Sequence, residues 1–316
     1  MPPRHWQTTN IVATFLRPIA WLYGCVWRLR VWLFRRRIFT IHHLPVPVIV
    51  VGNVIAGGAG KTPVVMALVA RLQTMGYQPG VISRGYGRKS KACLEVTAQS
   101  SVFEVGDEPM LIAHTCKAPV YVASSRVQAA KALLARHPTC NVIVSDDGLQ
   151  HTALARDIEI VVFDERQTGN QHLLPAGPLR EPWPRTPLCP VHLVLSTIPR
   201  HLADMAVNGH GESSPLAQLE HKSIHALAAV AKPQLFFQML RDKGLKLVRI
   251  HSYPDHASLE KYVPPTGINE ILLCTSKDAI KLWKNYPHVW AVPLVIELNS
   301  QFLKAFDASI KSLRKI

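Results

Sequence analysis

The first forty residues contain no aspartate or glutamate, although seven arginines fall among them. The chain also lacks any C-x-x-C or His/Cys cluster at zinc spacing, and its six cysteines (Cys25, Cys93, Cys116, Cys140, Cys189 and Cys274) lie far apart. This excludes a zinc module and a disulfide framework, and it fits a reducing cytosol in which the thiols are small core residues. No long apolar run survives uninterrupted. Arg17, Arg28 and Arg30 break the stretch NIVATFLRPIAWLYGCVWRLRVWLF, and each would cost roughly 2.5–3.5 kcal/mol near the centre of a spanning helix. No small-residue cleavage site follows it, so a removable signal peptide is excluded as well. Basic stripes interleaved with stacking aromatics are missing from the rest of the chain, which argues against a nucleic-acid partner. Internal repeats and low-complexity tracts are absent too.

What is present begins with charge. The 316 residues are 48% hydrophobic, enough for one large or two ordinary cores, and carry a formal +15 with a pI near 9.8. Such a balance points to an anionic partner or substrate. The acid-free N-terminus concentrates it: a helix from Pro18, with Pro in its first turn, puts Arg28 and Arg35 on one side and supplies Trp21, Trp27 and Trp32 as interfacial rings. Arg35 to Arg37 would then meet anionic lipid. Residues 1–37 therefore read as a membrane-associating helix better suited to lying in the interface than to spanning it, the alternative being a helix packed on the protein's own core.

Beyond residue 37, strands and helices alternate, the pattern of a mostly parallel sheet with helices on its faces. Strands are predicted at 46–51, 80–83, 119–122, 141–145, 158–163 and 192–196, with helices at 61–75, 108–116 and 125–137. Residues 198–222 turn polar and irregular, so 38–200 form one α/β domain and 201–222 a linker. A smaller α/β domain, 223–316, follows from strands at 223–230, 245–251 and 270–275 and helices at 233–243 and 277–285.

Within this frame, VPVIVVGNVIAGGAGKTP joins an apolar strand to a helix through a glycine-rich loop. The pattern is that of a phosphate-binding loop, G-x-x-x-x-G-K-[ST], except that Ile55 replaces its first glycine. Gly57, Gly58 and Gly60 let backbone N–H groups approach phosphate oxygens, Lys61 would reach the β- and γ-phosphates, and Thr62 would bind magnesium. A carboxylate at the end of a neighbouring strand completes such a site, and NVIVSDDGLQH supplies Asp146 and Asp147. In GDEP, Asp107 is either a base for an acceptor hydroxyl or a helix cap, and the local pattern leaves the two open. The long Pro-rich stretch 164–185 carries Arg166, Arg180 and Arg185, suited to bidentate phosphate contacts. In YPDHAS, Asp255 and His256 end a strand of the second domain, where a lone histidine can be structural or catalytic.

Taken in order, these pieces, together with SRGYGR, LLPAGPLREP and SKDAIKL, resemble the tetraacyldisaccharide 4'-kinases of lipid A biosynthesis from about Leu44 to Lys281. The resemblance implies a P-loop NTPase-like α/β core with an N-terminal membrane-associating helix and a smaller C-terminal α/β domain. It implies transfer of the ATP γ-phosphate to the 4'-hydroxyl of an acylated glucosamine disaccharide 1-phosphate, at the cytoplasmic face of a Gram-negative inner membrane. ATP and Mg2+ are the implied cofactors, the anionic membrane surface a partner, with no obligate protein partner. By the same resemblance, Ile55, Ala56, Gly57, Gly58, Ala59, Gly60, Lys61 and Thr62 hold nucleotide, and Thr62, Asp146 and Asp147 hold metal. Asp107 is then the base assisted by His256, with Lys61 also catalytic, and Arg84, Tyr86, Glu108, Arg126, Arg166 and Arg180 bind substrate. The sequence departs from the family pattern at Ser276, Ala229, Ala231 and Thr186. A membrane-associated ATPase switch is the rival reading. The deviant loop of that class carries a second lysine where this chain has Ala56.

Overall fold

The computed structural model describes residues 3–8, 10–58, 60–196, 198–267 and 269–313. Helix α1 (Ile11–Arg35) begins seven residues before Pro18, correcting the predicted start, because the Asn10 side chain accepts the Ala13 N–H at 3.0 Å and caps the first turn. Pro18 lies inside the helix, where it removes one backbone donor on an exposed face. Ala13, Ala20, Gly24, Val31 and Phe34 face the protein, whereas Phe15, Ile19, Leu22, Val26 and Leu29 stand exposed at helical spacing.

The first sheet contains β1 (Val48–Gly52), β2 (Pro79–Ser83), β3 (Leu94–Glu95), β4 (Val120–Val122), β5 (Val142–Asp146), β6 (Ile158–Val162) and β7 (Val191–Leu195), in the order β3-β4-β2-β5-β1-β6-β7. All neighbours pair in parallel except the short edge strand β3. Helices α2 (Lys61–Thr74), α3 (Val102–Val105), α4 (Asp107–Cys116) and α5 (Arg126–Arg136) connect them. Both faces are covered: Ile49 and Val51 point into one core with Val65 and Leu68, and Val48 and Val50 into another with Ile55 and Leu133. Burial on two sides is why these strands read as unbroken apolar runs.

The second lobe follows through β8 (Arg200–Leu202), β9 (Met205–Asn208), β10 (Ser213–Pro215), β11 (Ser223–Ala228), α6 (Pro233–Asp242), β12 (Leu247–Ser252), β13 (Glu270–Thr275), α7 (Ser276–Leu282), β14 (Trp290–Val292) and β15 (Leu294–Ile296). Its sheet has the order β10-β9-β14-β13-β11-β12. The stretch expected to be a linker thus contributes strands. β9 pairs antiparallel with β14, Ala206 and Leu202 are buried, and three- or four-residue strands are too short to show a period in the sequence. The two lobes are joined by an antiparallel ribbon, β8 with β15.

A final helix, α8 (Ser300–Leu313), leaves the second lobe and returns to the first, against the expectation that everything after residue 223 belongs together. Phe302, Phe306 and Ile310 enter the same core as Ile49 and Leu68, and Asp307 accepts from Arg71 Nε at 3.1 Å. Phe306 is fully buried there. Phe306→Ala is expected to lose roughly 3–5 kcal/mol of stability, read as a fall in the urea midpoint. An unchanged midpoint would show that α8 adds nothing to the first core.

Candidate active site

Between β1 and α2 the chain forms an open loop whose Gly57 and Gly60 adopt φ of +93° and +71°, in the left-handed region that side chains resist. A β-carbon at Gly60 would also collide with the guanidinium of Arg200, a neighbour that no local pattern in the sequence signals. Ile55 explains the missing first glycine. Its backbone bridges Leu179, its side chain is fully buried, and the adjoining Ala56 N–H donates to the Pro178 carbonyl at 2.7 Å. The position is therefore the last extended residue of a paired segment, where a core side chain is an advantage. Ala59 lies outside the described residues.

Arg166 secures the loop from the other side. Its Nη1 donates to the Ala56 carbonyl at 3.3 Å and its Nη2 to the Gly58 carbonyl at 3.1 Å, while Asp164 grips the same guanidinium at 2.6–3.1 Å. Lys61, at the start of α2, donates to Asn53 Oδ1 at 3.2 Å and stands 3.6 Å from Asp147. Thr62 is buried beside it.

At the C-terminal end of β5, adjacent to β1, Asp146 is buried and Asp147 turns into left-handed backbone at φ +47°. Ser83 Oγ donates to Asp146 Oδ2 at 3.1 Å, but Asp146 Oδ1 is buried without a partner. Burial, then the fields of Glu108 and Asp147, push its carboxyl up to about 7. Asp147 goes the other way. Burial opposes its charge, yet Lys61, Arg180 and Arg126 outweigh that and hold it below the ordinary range. Arg180 Nη1 contacts both Asp147 oxygens, at 3.0 and 3.2 Å. Arg126, 2% exposed, donates Nη2 to the carbonyls of Asp146 and Asp147, and its Nε and Nη1 have no partner. Arg84 lies near enough to act on it electrostatically, and burial lowers the Arg126 guanidinium to about 10.

A second cluster spans the two lobes. Asp107 opens α4 in the first, and its Oδ1 accepts the Glu108 N–H at 2.9 Å. His256 follows β12 in the second with φ +62°, and its Nδ1 lies 2.9 Å from Asp107 Oδ2 and 3.2 Å from Oδ1. Helix α7 packs against α4 and brings Lys277 and Lys281 to 3.5 and 3.6 Å from Asp107 Oδ2. Neither lysine was singled out in the sequence, although their i, i+4 spacing on a predicted helix was a signal for two cations on one face. Burial would raise the Asp107 carboxyl, but the hydrogen bond from His256 and the fields of Lys277 and Lys281 bring it down to about 2. The same bond raises His256. Tyr86, largely exposed, places its ring 5.4 Å from that of His256. Glu108 links the clusters, 3.8 Å from Lys277 and close enough to perturb Asp146.

Residues 12–311 match the family model described as tetraacyldisaccharide-1-P 4'-kinase. The chain is 49% identical to a tetraacyldisaccharide 4'-kinase of Acidovorax sp. (strain JS42), covering 98% of this chain and 94% of that one. It is 47% identical to its counterpart in Polaromonas naphthalenivorans (98% and 94%) and 41% to that of Azoarcus sp. (94% and 92%). A solved "apo" form of LpxK from Aquifex aeolicus in complex with ATP superposes with a TM-score of 0.81 at 29% identity, over 96% of this chain and 99% of that one.

The depressed Asp107 carboxyl has a consequence for stability. Its folded value, about 2 against an ordinary 3.8, corresponds to about 2 kcal/mol. This contribution is complete above the ordinary value and is lost as pH falls through about 2. The margin of wild type over Asp107→Asn in urea melts should accordingly hold from about pH 6, below the ordinary histidine value, to about 4 and shrink below that. A margin that stays constant down to pH 2.5 would contradict the ion-paired geometry.

Proposed function

The chain belongs to the tetraacyldisaccharide-1-phosphate 4'-kinase family, and from that membership we propose how its residues divide the reaction. It is an ATP-dependent lipid kinase of lipid A biosynthesis, transferring the γ-phosphate to the 4'-hydroxyl of tetraacyldisaccharide 1-phosphate. The observation that best supports the assignment of roles is the Asp107–His256 pair, which joins the two lobes beside the phosphate loop's sheet edge.

ATP phosphates lie on the loop from Ile55 to Thr62, with Lys61 leaving Asn53 and Asp147 to follow the migrating phosphoryl group. Asp107 is ionised throughout the neutral range and is thus always in the accepting form. Its weak basicity suits a loose transition state, in which the acceptor proton leaves late and the carboxylate chiefly orients the hydroxyl. The hydroxyl oxygen bonds to the γ-phosphorus as the bond to the bridging oxygen breaks; ADP departs and the proton passes to Asp107. His256 holds Asp107 in place.

The donor set also fits magnesium. Among the described residues no group of three or more His, Cys, Asp or Glu side chains is arranged to hold a metal ion by itself, which is compatible with an ion that keeps water and phosphate oxygens and takes only one or two carboxylates from protein. Thr62, Asp146 with its orphaned buried oxygen, and Asp147 would hold it. When bound, it supplies charge neutralisation on the β- and γ-phosphates. Arg126, with two unpartnered N–H-bearing nitrogens and Arg84 near it, offers donors to the acceptor's anionic groups, and Tyr86 and Glu108 bind the acceptor from the Asp107–His256 cluster. Arg166 and Arg180 act at one remove, the first on the loop and the second on Asp147.

The exposed apolar stripe of α1 and its arginines dock on the anionic inner leaflet of a Gram-negative inner membrane, where the acylated acceptor resides. Among the described residues no helix is long and apolar enough to cross a membrane.

Incubating the protein with labelled ATP and extracted membrane glycolipid tests the acceptor; label confined to free phosphate would refute it. Asp107→Ala should lower kcat by roughly a hundredfold or more with ATP binding retained. His256→Ala should slow the same step, and the double variant should be little worse than the slower single one, whereas multiplicative losses would separate the two residues. Removing residues 1–37 should abolish sedimentation with anionic vesicles and raise KM for lipid. Undiminished sedimentation would dismiss the interfacial role of α1.

A further inference from the structure

One cation in the cross-lobe cluster has no part in the reaction as derived. Lys277 Nζ lies 3.4 Å from His256 Nε2, 3.0 Å from Asp255 Oδ1 and 3.5 Å from Asp107 Oδ2. An ammonium offers only protons, so the ring nitrogen facing it has to be the bare acceptor; a carboxylate accepts only, so the nitrogen facing Asp107 has to carry the hydrogen. The two contacts fall on opposite nitrogens, Nε2 toward Lys277 and Nδ1 toward Asp107, and together they select one form of the ring. Lys277 is itself well placed to impose this. It is mostly buried, on the first turn of α7, whose start is fixed by Thr275 accepting the Asp278 N–H at 3.2 Å.

We propose that Lys277 is a positioning residue that fixes the neutral form of His256 as the Nδ1–H tautomer, so that the imidazole donates to Asp107 and takes up its second proton less readily than it would without the lysine. The groups in contact with His256 are Asp107 of α4, Tyr86 of the loop after β2, Asp255 of its own loop and Lys277 of α7; behind them Glu108 of α4 stands against Lys277 and Lys281 of α7 against Asp107. Asp107 and Asp255 favour a second proton on the ring, and Lys277 opposes it. Without Lys277 the balance tips toward imidazolium, and the neutral ring loses its reason to leave Nε2 bare. The inference rests on the kinase reading for its kinetic consequence only. The tautomer is a property of the protein without substrate.

The test uses full-length protein in detergent, with 15N-labelled histidine and the His256 signal identified by its loss in His256→Gln. Above its protonation midpoint, wild type should show a bare Nε2 and a protonated Nδ1. In Lys277→Met the midpoint for ring protonation should rise by about one pH unit and the acid limb of kcat/KM should move with it, giving a roughly tenfold loss below the limb and a small one on the plateau. Lys277→Arg, which restores a cationic donor, should return the wild-type tautomer and serves should the Met variant not fold. The proposal is overturned if His256 carries its proton on Nε2 in wild type, if Lys277→Met leaves both midpoint and tautomer unchanged, or if Lys277→Arg shows Nε2–H. Failure of the kinase reading would appear separately, as absence of lipid phosphorylation with the spectroscopic result intact.

Discussion

A carboxylate taken out of water needs a cation or a set of donors in reach, and the active edge of this protein is organised by that requirement. Asp107 is held by His256, Lys277 and Lys281; Asp147 by Lys61 and Arg180; Asp164 by Arg166. Farther back, the fully buried Glu159 sits between Arg156 and Arg185. Asp146 is the exception. One of its oxygens has no donor, and its carboxyl is pushed upward where those of Asp107, Asp147 and Glu159 are held down.

The same requirement ties the lobes together. Asp107 stands on the first, but the groups that stabilise its charge come from the second, through the loop after β12 and through α7. The chain crosses between lobes on the β8–β15 ribbon and then sends α8 back into the first core. Arg200, on that ribbon, lies over Gly60 of the phosphate loop. The glycine-rich loop and the ribbon thus meet at Gly60, and a displacement of the second lobe would disturb both that contact and the groups around Asp107.

Helix α1 presents Phe15, Ile19, Leu22, Val26 and Leu29 outward and turns Ala13, Ala20 and Gly24 inward with Val31 and Phe34, so it packs on the body and keeps an exposed apolar stripe. It also reaches the site. The Tyr23 hydroxyl donates to the Arg180 carbonyl at 2.6 Å, and Arg180 in turn grips Asp147. The helix that carries the apolar stripe and the carboxylate beside Lys61 are thus two hydrogen-bonded links apart.

The central strands, the phosphate loop and the acid pair were legible because each is local. A strand buried on both faces is apolar throughout, a loop that approaches phosphate needs glycine, and a carboxylate emerging at a strand end follows directly from the chain. Short elements such as β9, β10 and β14 were not, since three or four residues carry no period and their stability comes from partners distant in sequence. The start of α1 was misplaced because Pro18 signals a first turn, whereas the cap that starts the helix is Asn10. The sequence by itself determined which residue types bear the chemistry and on which local element each is carried. Only the tertiary structure decided the surroundings of Asp107. Locally it is equally a helix cap or a base, and its buried carboxyl is held well below its ordinary value only because a histidine and two lysines, about 150 to 175 residues further along, fold back to within hydrogen-bonding or ion-pair distance.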